Sequence, residues 1–394
     1  MKIQSFAVMV LAAVCLTSIP VDAAKKQKEQ ESGTSFAREA LQPYVESGEL
    51  PGAISIFYKD GVRETCCIGY SDVSARKAIS TKDIFMQCSQ TKGFCGVTVA
   101  KLIEEGKVSL DDPVSDYLPE FKELWVRDST VNGVRTLHKA RNVLTVRMVL
   151  NHTGGFPFEV SAKRPDVPGS SCNGGAPLRQ VASIAAATQL LFEPGTDVNY
   201  SNVGIDIAGA IVEVVTGMKW DEYLKQEVLD PLGMKSSCFY PTDKKLDKRV
   251  KLYRCVEKAP AEYLEDLPLL QSPYNDSHVF VASSGDLWTT AEDQFKFYKM
   301  LMNLGVGDNG ARILKEETVK SLMLTSSRPE GFGWYSLGLT TDENGWTGHG
   351  GALGTSCFFD CRTKSLRLWV VQLEGKPRPW MDALDKAADA FFNR

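Results

Sequence analysis

The sequence predicts an α+β fold in which the N- and C-terminal segments form one antiparallel sheet, flanked by helices. Strand-like patterns occur in residues of about 35–90 and 280–394, at the two ends of the chain. Between them, about 107–275, the patterns are mostly those of helices. A sheet built from both ends, with helices on its faces and a mostly helical lobe inserted, satisfies this order. We therefore expect one domain over residues 35–394.

The residues before this domain predict export. Residues 1–23 combine a basic start, an apolar stretch and small residues at a cleavage site, which is typical of a signal peptide. Residues 24–34 are polar and predict a tether. Cys15 offers lipoprotein anchoring as an alternative, but Val14 stands where a lipobox normally has Gly, Ala or Ser. We expect a secreted or periplasmic protein with no membrane span after cleavage.

Charge and histidine spacing limit the kinds of partner. The chain carries 45 basic and 49 acidic residues, a formal net charge of −4. That balance does not favour nucleic acid or an anionic membrane as a partner. The four histidines show no metal-ligand spacing, so we expect no metal site.

Local patterns justify the first elements in turn. Thr34 and Ser35 can cap a helix over about 36–46. Residues 52–73 predict a strand, an Asp-Gly turn and a second strand. Apolar residues then recur at helical spacing from about 90 to 106, which predicts a largely buried helix ended by Gly106.

The second half of the chain follows the same rules. Residues 203–217 predict a helix with Gly217 as its C-terminal cap, and residues 290–305 predict another helix. Alternating patterns predict antiparallel strands in "GWYSLGLTT", "SCFFDC" and "SLRLWVVQLEG". A final helix is expected over about 379–392.

Ser89 and Lys92 are the first candidate site residues. At i and i+3 on a helix they share one face. A serine hydroxyl becomes a good nucleophile when a base removes its proton, and a lysine serves as that base when burial lowers its pKa. The same pattern also fits a capping serine and a solvated lysine, so the four-residue spacing alone is weak.

Two further segments carry suitable groups. Tyr200 and Asn202 precede a predicted helix; the phenol can relay protons if a neighbouring lysine lowers its pKa, and the amide can donate to a substrate carbonyl. His349, Gly350 and Gly351 lie at a predicted strand edge, where glycines let a substrate approach the backbone. The N–H of Ala352 can complete an oxyanion hole there.

These motifs, in this order, are accompanied by "LIEEGKVSLDDPVSDYLPEF", "VRMVLNHTGGF", "FEPGTDVNYSN" and "SSGDLWTTAEDQFKF". Together they resemble the serine β-lactamase-like superfamily, in the branch of class C β-lactamases, DD-carboxypeptidases and esterases. The resemblance implies Ser89 as the acylated nucleophile, Lys92 as its base and Tyr200 as proton relay. It implies Asn202, the 349–351 motif and Ala352 as substrate and oxyanion groups, and no metal or organic cofactor.

The third motif departs from that of a β-lactamase. His-Gly-Gly stands where those enzymes usually have Lys-Thr-Gly, so a substrate carboxylate loses a charge-assisted contact of roughly 1.5–3 kcal/mol. We expect an exported serine hydrolase acting on small-molecule esters, amides or peptidoglycan-type D-amino-acid bonds. A weak β-lactamase or DD-carboxypeptidase, and a non-catalytic penicillin-binding-type module, are the alternatives. Gly93 and Gly96, which lie inside the helix of Lys92, favour the non-catalytic module.

Cysteine pairing stays open at this point. Nine of the ten cysteines remain after signal cleavage, so at least one lacks an intramolecular partner. Cys357 with Cys361, and Cys238 with Cys255, are candidate disulfides. Cys88 and Cys95 are too far apart along a helix to bridge. We expect Cys95 to be a buried packing residue and Cys88 to point away from the nucleophile.

Overall fold

The computed structural model describes residues 35–160, 176–239, 248–264 and 280–394. The predicted signal peptide, the tether and Cys15 lie outside these residues.

In these ranges the α-helices are α1 (Phe36–Glu46), α2 (Thr91–Glu104), α3 (Val146–Leu150), α4 (Leu178–Ala186), α5 (Asn202–Thr216), α6 (Trp220–Leu224), α7 (Ala291–Met302), α8 (Glu316–Thr318) and α9 (Pro379–Phe392). The strands are β1 (Gly52–Lys59), β2 (Val62–Asp72), β3 (Lys77–Ala78), β4 (Phe85–Met86), β5 (Trp125–Val131), β6 (Val134–Lys139), β7 (Tyr253–Val256), β8 (Ala259–Tyr263), β9 (Trp288–Thr289), β10 (Thr340–Thr341), β11 (Thr347–Gly350), β12 (Ser356–Asp360), β13 (Ser365–Val370) and β14 (Leu373–Glu374).

The main sheet joins the two ends of the chain. Its seven strands run in the order β10-β11-β12-β13-β1-β2-β3, and neighbouring strands are antiparallel. The central pairing places Ile54 opposite Val370 on one side and Cys67 on the other. The predicted antiparallel sheet from N- and C-terminal segments is therefore confirmed.

Both faces of β1 are buried, because successive side chains point to opposite sides of a strand. Ile54 and Ile56 pack in the larger core with α2 and α7. Ala53 and Phe57 pack in a second cluster with the terminal helices α1 and α9, where Phe57 contacts Phe391. The sheet is thus covered by helices on both faces.

Helix α2 passes very close to the segment before β10. At Gly96 a Cβ would lie 1.8 Å from the Leu337 carbonyl oxygen, and at Gly93 it would lie 2.9 Å from Leu339 Cδ2. Gly96 is therefore required by the approach of a backbone carbonyl, whereas Gly93 faces only the tip of a flexible side chain at the same contact. Their presence does not argue for a non-catalytic module.

The middle of the chain contains two hairpins that the sequence analysis did not predict, β5–β6 and β7–β8. The available signal for the first was the dipeptide Asn132-Gly133, whose residues have φ of 52° and 80° and which is typical of a tight hairpin turn. The predicted strand over 333–341 is mostly wrong, because in this segment only Thr340–Thr341 forms a strand. Gly333 and Gly338, at φ of 72° and 78°, interrupt an extended path there.

The described cysteines do not form the disulfides considered above. Free thiols are found at Cys66, Cys67, Cys88, Cys95, Cys255, Cys357 and Cys361. The Cys357–Cys361 prediction is wrong because the chain is extended from Cys357 to Asp360, about 10 Å over three residues, which keeps the two thiols apart and free. The Cys238–Cys255 prediction is also wrong, since the two side chains pack in different apolar clusters.

Within the described ranges no helix is both long and apolar enough to span a bilayer. The same residues contain no group of three or more His, Cys, Asp or Glu side chains arranged to hold a metal ion.

Candidate active site

Ser89 lies in a single 3₁₀ turn, Cys88–Gln90, that leads directly into α2. The turn is reached through Cys88, which has a φ of 49° in the left-handed region. Gln90 ties the turn to β11: its Nε2 donates to the His349 carbonyl at 2.9 Å, and its Oε1 accepts from Gln294 Nε2 at 2.7 Å. Ser89 itself remains half-buried and reachable.

Lys92 is fully buried one turn later and faces Ser89. Its Nζ contacts Ser89 Oγ at 3.2 Å, and also donates to Asn202 Oδ1 at 2.7 Å and to the Ser284 carbonyl at 2.9 Å. Burial lowers the pKa of Lys92 to about 8, although the nearby Asp206 carboxylate opposes this shift. A minor fraction of Lys92 is therefore neutral near physiological pH and able to accept a proton, and this fraction grows as the pH approaches 8.

Asp206 supports the loop behind Lys92. Its carboxylate accepts from the Ser284 backbone N–H at 3.0 Å and from the Ser283 and Ser284 hydroxyls, each at 3.2 Å. The carbonyl of Ser284 is one of the three acceptors of Lys92. Burial raises the pKa of Asp206, and the neighbouring Asp286 adds to that shift.

Tyr200 stands across the nucleophile from α2. Lys92 Nζ lies 4.9 Å from the centre of the Tyr200 ring. The condition set for Tyr200 as a proton relay, a phenol pKa lowered by a neighbouring lysine, is not met: burial raises the pKa of Tyr200 to about 12, and a hydrogen bond with Ser89 offsets only part of the rise. Tyr200 therefore keeps its proton near neutral pH and can donate it.

His349 on β11 is a neutral side chain with both ring nitrogens engaged. Nε2 is 3.2 Å from the Tyr335 hydroxyl, and Nδ1 is 2.6 Å from the Gly350 carbonyl oxygen. The carbonyl can only accept, so Nδ1 carries the proton and Nε2 accepts from Tyr335. Burial, with Lys92 nearby, lowers the pKa of His349 to about 4. It presents no cation to a substrate carboxylate.

The two glycines after His349 serve different purposes. A Cβ at Gly351 would lie 2.1 Å from Thr355 Oγ1 and 2.5 Å from the Gln87 carbonyl oxygen, so this position must be glycine for packing. A Cβ at Gly350 would meet nothing closer than 3.7 Å. Gly350 is exposed, and it is the position of the pair that leaves backbone open to a ligand.

The predicted oxyanion donors are the N–H groups of Ser89 and Ala352, and the Ala352 N–H also makes a weak contact with the Cys88 thiol. In the described part of the chain, no backbone acceptor is recorded for the N–H of Ser89 or of Ala352. The Gly351 N–H, by contrast, donates to the Thr355 carbonyl at 2.7 Å. Ala352 is exposed, and Arg378 Nη2 holds its carbonyl at 2.6 Å.

Cys88 is oriented into an apolar cluster with Trp288 and Leu353. Burial raises the pKa of its thiol to about 11, with weak contacts to the Leu353 and Ala352 N–H groups opposing the shift. Cys95 is fully buried, as expected, and its thiol donates to the Ile205 carbonyl at 3.7 Å. Neither sulfur is a reactive thiolate near neutral pH.

The structure therefore brings together Ser89, Lys92, Tyr200, Asn202 and the 349–352 segment. It adds four residues that the sequence analysis missed: Gln90, Asp206, Ser284 and Tyr335. One of these had a usable signal, because Asp206 lies four residues after Asn202 and so shares its face of α5. The contacts of the other three depend on chain segments that are distant in sequence.

The beta-lactamase family model matches residues 37–390. The chain belongs to this family. An uncharacterized protein of Mycobacterium tuberculosis is 27% identical over 286 residues, which cover 71% of this chain and 69% of that protein.

Solved structures agree on the fold. EstCE1, a hydrolase with promiscuous acyltransferase activity, superposes with a TM-score of 0.72 at 22% identity, covering 90% of this chain and 97% of EstCE1. The D-amino acid amidase of Ochrobactrum anthropi SV3, complexed with D-phenylalanine, superposes with a TM-score of 0.68 at 20% identity, covering 91% and 98%. Family and fold are those of serine hydrolases.

Proposed function

We propose that this protein is a serine hydrolase that cleaves carboxylic esters or D-amino-acid amide bonds through an acyl-enzyme on Ser89. One observation carries the proposal: Lys92 Nζ lies 3.2 Å from Ser89 Oγ in a site where burial lowers the lysine pKa to about 8. A solvated lysine beside a capping serine would be exposed and fully protonated. The buried Lys92 therefore does not fit the alternative in which Ser89 only caps a helix.

In the acylation step, Ser89 Oγ attacks the substrate carbonyl carbon while its proton passes to neutral Lys92. The negative charge that develops on the carbonyl oxygen is stabilised by the N–H groups of Ser89 and Ala352. When the tetrahedral intermediate collapses, the bond to the leaving group breaks and the leaving alcohol or amine receives a proton. Tyr200 is suited to donate it, because its phenol is protonated, and Lys92 then reprotonates Tyr200.

Hydrolysis of the acyl-enzyme repeats these steps with water. A water molecule attacks the ester carbonyl carbon and gives up a proton to the Lys92–Tyr200 pair. The bond to Ser89 Oγ then breaks, the serine regains the proton, and the acid product leaves. The protein begins and ends the cycle in the same protonation state.

The preference for esters and neutral amides over β-lactams rests on His349. Its two nitrogens are held by Tyr335 and by the Gly350 carbonyl, and its pKa of about 4 leaves it uncharged. A β-lactam or D-Ala-D-Ala carboxylate would find no cation at this position. We estimate a loss of roughly 1.5–3 kcal/mol in binding, or about ten- to a hundred-fold.

A substrate panel tests the proposal. Purified protein is assayed with short-chain p-nitrophenyl esters, D-amino-acid p-nitroanilides, nitrocefin and a D-Ala-D-Ala peptide. We expect turnover of esters or D-amino-acid anilides at rates well above those for the carboxylate-bearing substrates. Rapid nitrocefin hydrolysis or D-alanine release would support the alternative β-lactamase or carboxypeptidase function instead.

The pH dependence gives an independent prediction. Because the base form of Lys92 is required, kcat/KM should rise about ten-fold per pH unit on the acid side and level off above pH of about 8. The arginine of Lys92→Arg cannot lose its proton, so this variant should lose activity at every pH. A rate that does not change between about pH 6 and pH 9 would exclude Lys92 as the base.

Export belongs to the proposal as well. The support is the basic, apolar and small-residue pattern of residues 1–23. Mass spectrometry of the protein from its native host should find a mature N-terminus at Ala24. Recovery of the full chain from the cytoplasm alone would contradict export.

A further inference from the structure

Two neighbouring residues, Phe158 and Glu159, form a rim beside the catalytic groups Tyr200 and Asn202. The rim is fixed to the segment around Tyr200 by hydrogen bonds to three consecutive carbonyls. Asn199 Nδ2 donates to the Phe156 carbonyl at 2.8 Å, Ser201 Oγ to Pro157 at 2.7 Å, and the Asn202 N–H to Phe158 at 2.9 Å. These three hydrogen bonds to the backbone of residues 156–158 therefore fix the position of the rim relative to Tyr200 and Asn202.

The carboxylate of Glu159 points toward the catalytic groups. Lys92 donates to Asn202 Oδ1 at 2.7 Å, which leaves the Asn202 amide NH₂ facing Glu159 Oε1 at 3.4 Å. Glu159 is exposed, and its charge is close enough to Lys92 to oppose the lowering of the lysine pKa. Among the described residues no Lys, Arg or His is recorded within ion-pair distance of this carboxylate.

The cations that the structure describes near the site are already engaged. Lys92 has three acceptors within the protein, and His349 is neutral. Arg328 packs over the Tyr335 ring, and its guanidinium donates to the backbone carbonyls of Asn151 and Phe332. Within the described ranges, the accessible charge beside Asn202 is therefore a negative one, the opposite of what a substrate carboxylate requires.

Phe158 adds an apolar surface next to this charge. Its side chain is 51% exposed, and its ring is stacked near Tyr200, with centroids 6.1 Å apart and planes at 22°. An exposed aromatic side chain beside a carboxylate suits a ligand that has an apolar group and a cation close together.

We propose that the rim selects substrates that carry a protonated amino group within a few bonds of the scissile carbonyl, with Glu159 as the residue that binds this ammonium group. This inference rests on the proposed acyl-enzyme function and narrows its substrate class to amino-acid esters and amides with a free amine. Glu159 acts as a specificity residue, and the bond-breaking steps remain those of Ser89, Lys92 and Tyr200.

Matched substrate pairs test the inference. Methyl esters of D- and L-phenylalanine are compared with their N-acetyl and N-succinyl derivatives, which remove or reverse the charge. Acylation of Ser89 is followed by rapid-quench mass spectrometry, so that slow deacylation does not hide it. The wild type should prefer the free amine over the N-acetyl ester by about ten-fold, and the preference should shrink at high salt.

The variants separate charge from structure. Glu159→Gln keeps the size and the acceptor for Asn202; it should remove the preference by slowing only the free-amine ester, about ten-fold. Glu159→Lys should shift the preference toward the N-succinyl ester. Glu343→Gln changes another exposed glutamate, in the turn before β11, and should leave both the free-amine preference and the rate on the free-amine ester unchanged.

The ratio of the acylation rates for two substrates cancels any effect of Glu159 on the pKa of Lys92, because that effect is the same for both substrates. Equal losses on all three esters, or an unchanged preference in Glu159→Gln, would overturn the role of the rim while leaving the acyl-enzyme intact. No acylation of the wild type by any ester would overturn the proposed function itself, and the substrate class with it.

Discussion

Replacing Ser89 with alanine is expected to abolish hydrolysis, with a loss of roughly 10⁴-fold or more in kcat. The hydroxyl forms the covalent bond to the acyl group, and among the described residues the other hydrogen-bond partners of Lys92 Nζ, the Asn202 amide and the Ser284 carbonyl, are not nucleophiles. Because Ser89 is half-buried in a turn fixed by Gln90, the variant should fold normally.

The matched control is Cys88→Ala, one residue earlier. Its thiol packs against Trp288 and Leu353 and has a raised pKa, so alanine should keep activity within about ten-fold. Intact-mass spectrometry after treatment with a fluorophosphonate should find one adduct on wild type and on Cys88→Ala, and none on Ser89→Ala. If activity survives in Ser89→Ala but is lost in Cys88→Ala, the assignment of Ser89 as the nucleophile is wrong. No adduct on any of the three would favour a non-catalytic module.

Replacing Gly96 with alanine is expected to destabilise the fold by about 3 kcal/mol or more. A Cβ at this position would lie 1.8 Å from the Leu337 carbonyl oxygen and 2.7 Å from the Leu337 carbonyl carbon. These are backbone atoms, so α2 or the segment before β10 must move to accept the methyl group. Alanine's higher helix propensity offsets only about 1 kcal/mol of this cost.

Gly93→Ala, one turn earlier on the same helix, is the control. The nearest atom to its Cβ is Leu339 Cδ2, at 2.9 Å, the tip of a flexible side chain that can rotate away. We expect this variant to lose at most about 1 kcal/mol. Urea unfolding should show a lower midpoint for Gly96→Ala with an unchanged slope. Equal midpoints for the two variants would mean that the close approach of Leu337 does not constrain α2.

Much of this fold follows from local patterns. The cap at Ser35 and the C-terminal glycine at Gly217 mark the ends of helices that the structure shows at the same places: Ser35 Oγ accepts from the Arg38 N–H, and Gly217 has a φ of 70°. These features depend on residues within one turn of each other. The strand predicted over 333–341 is mostly absent for a reason that is only partly local: Gly333 and Gly338 have positive φ, and the segment between them packs closely against α2.

The candidate site divides in a similar way. The spacing of Ser89 and Lys92 was visible in the sequence, because residues at i and i+3 share a helix face. The direction of the pKa shifts was not visible in the sequence. The relay role of Tyr200 was conditional on a lysine lowering its pKa, but in the structure burial raises that pKa to about 12. Burial is a property of the whole fold, so no local pattern could have indicated it.

The sequence by itself determined the family, the order of the main helices and strands, and the residue types available for acyl transfer. Only the tertiary structure decided how those residues are charged and what surrounds them: a buried Lys92, a neutral His349 and an exposed Glu159 beside Asn202. The reason is physical. Secondary structure responds to neighbours within a few residues, whereas desolvation and electrostatic interactions depend on groups that folding brings together from distant parts of the chain.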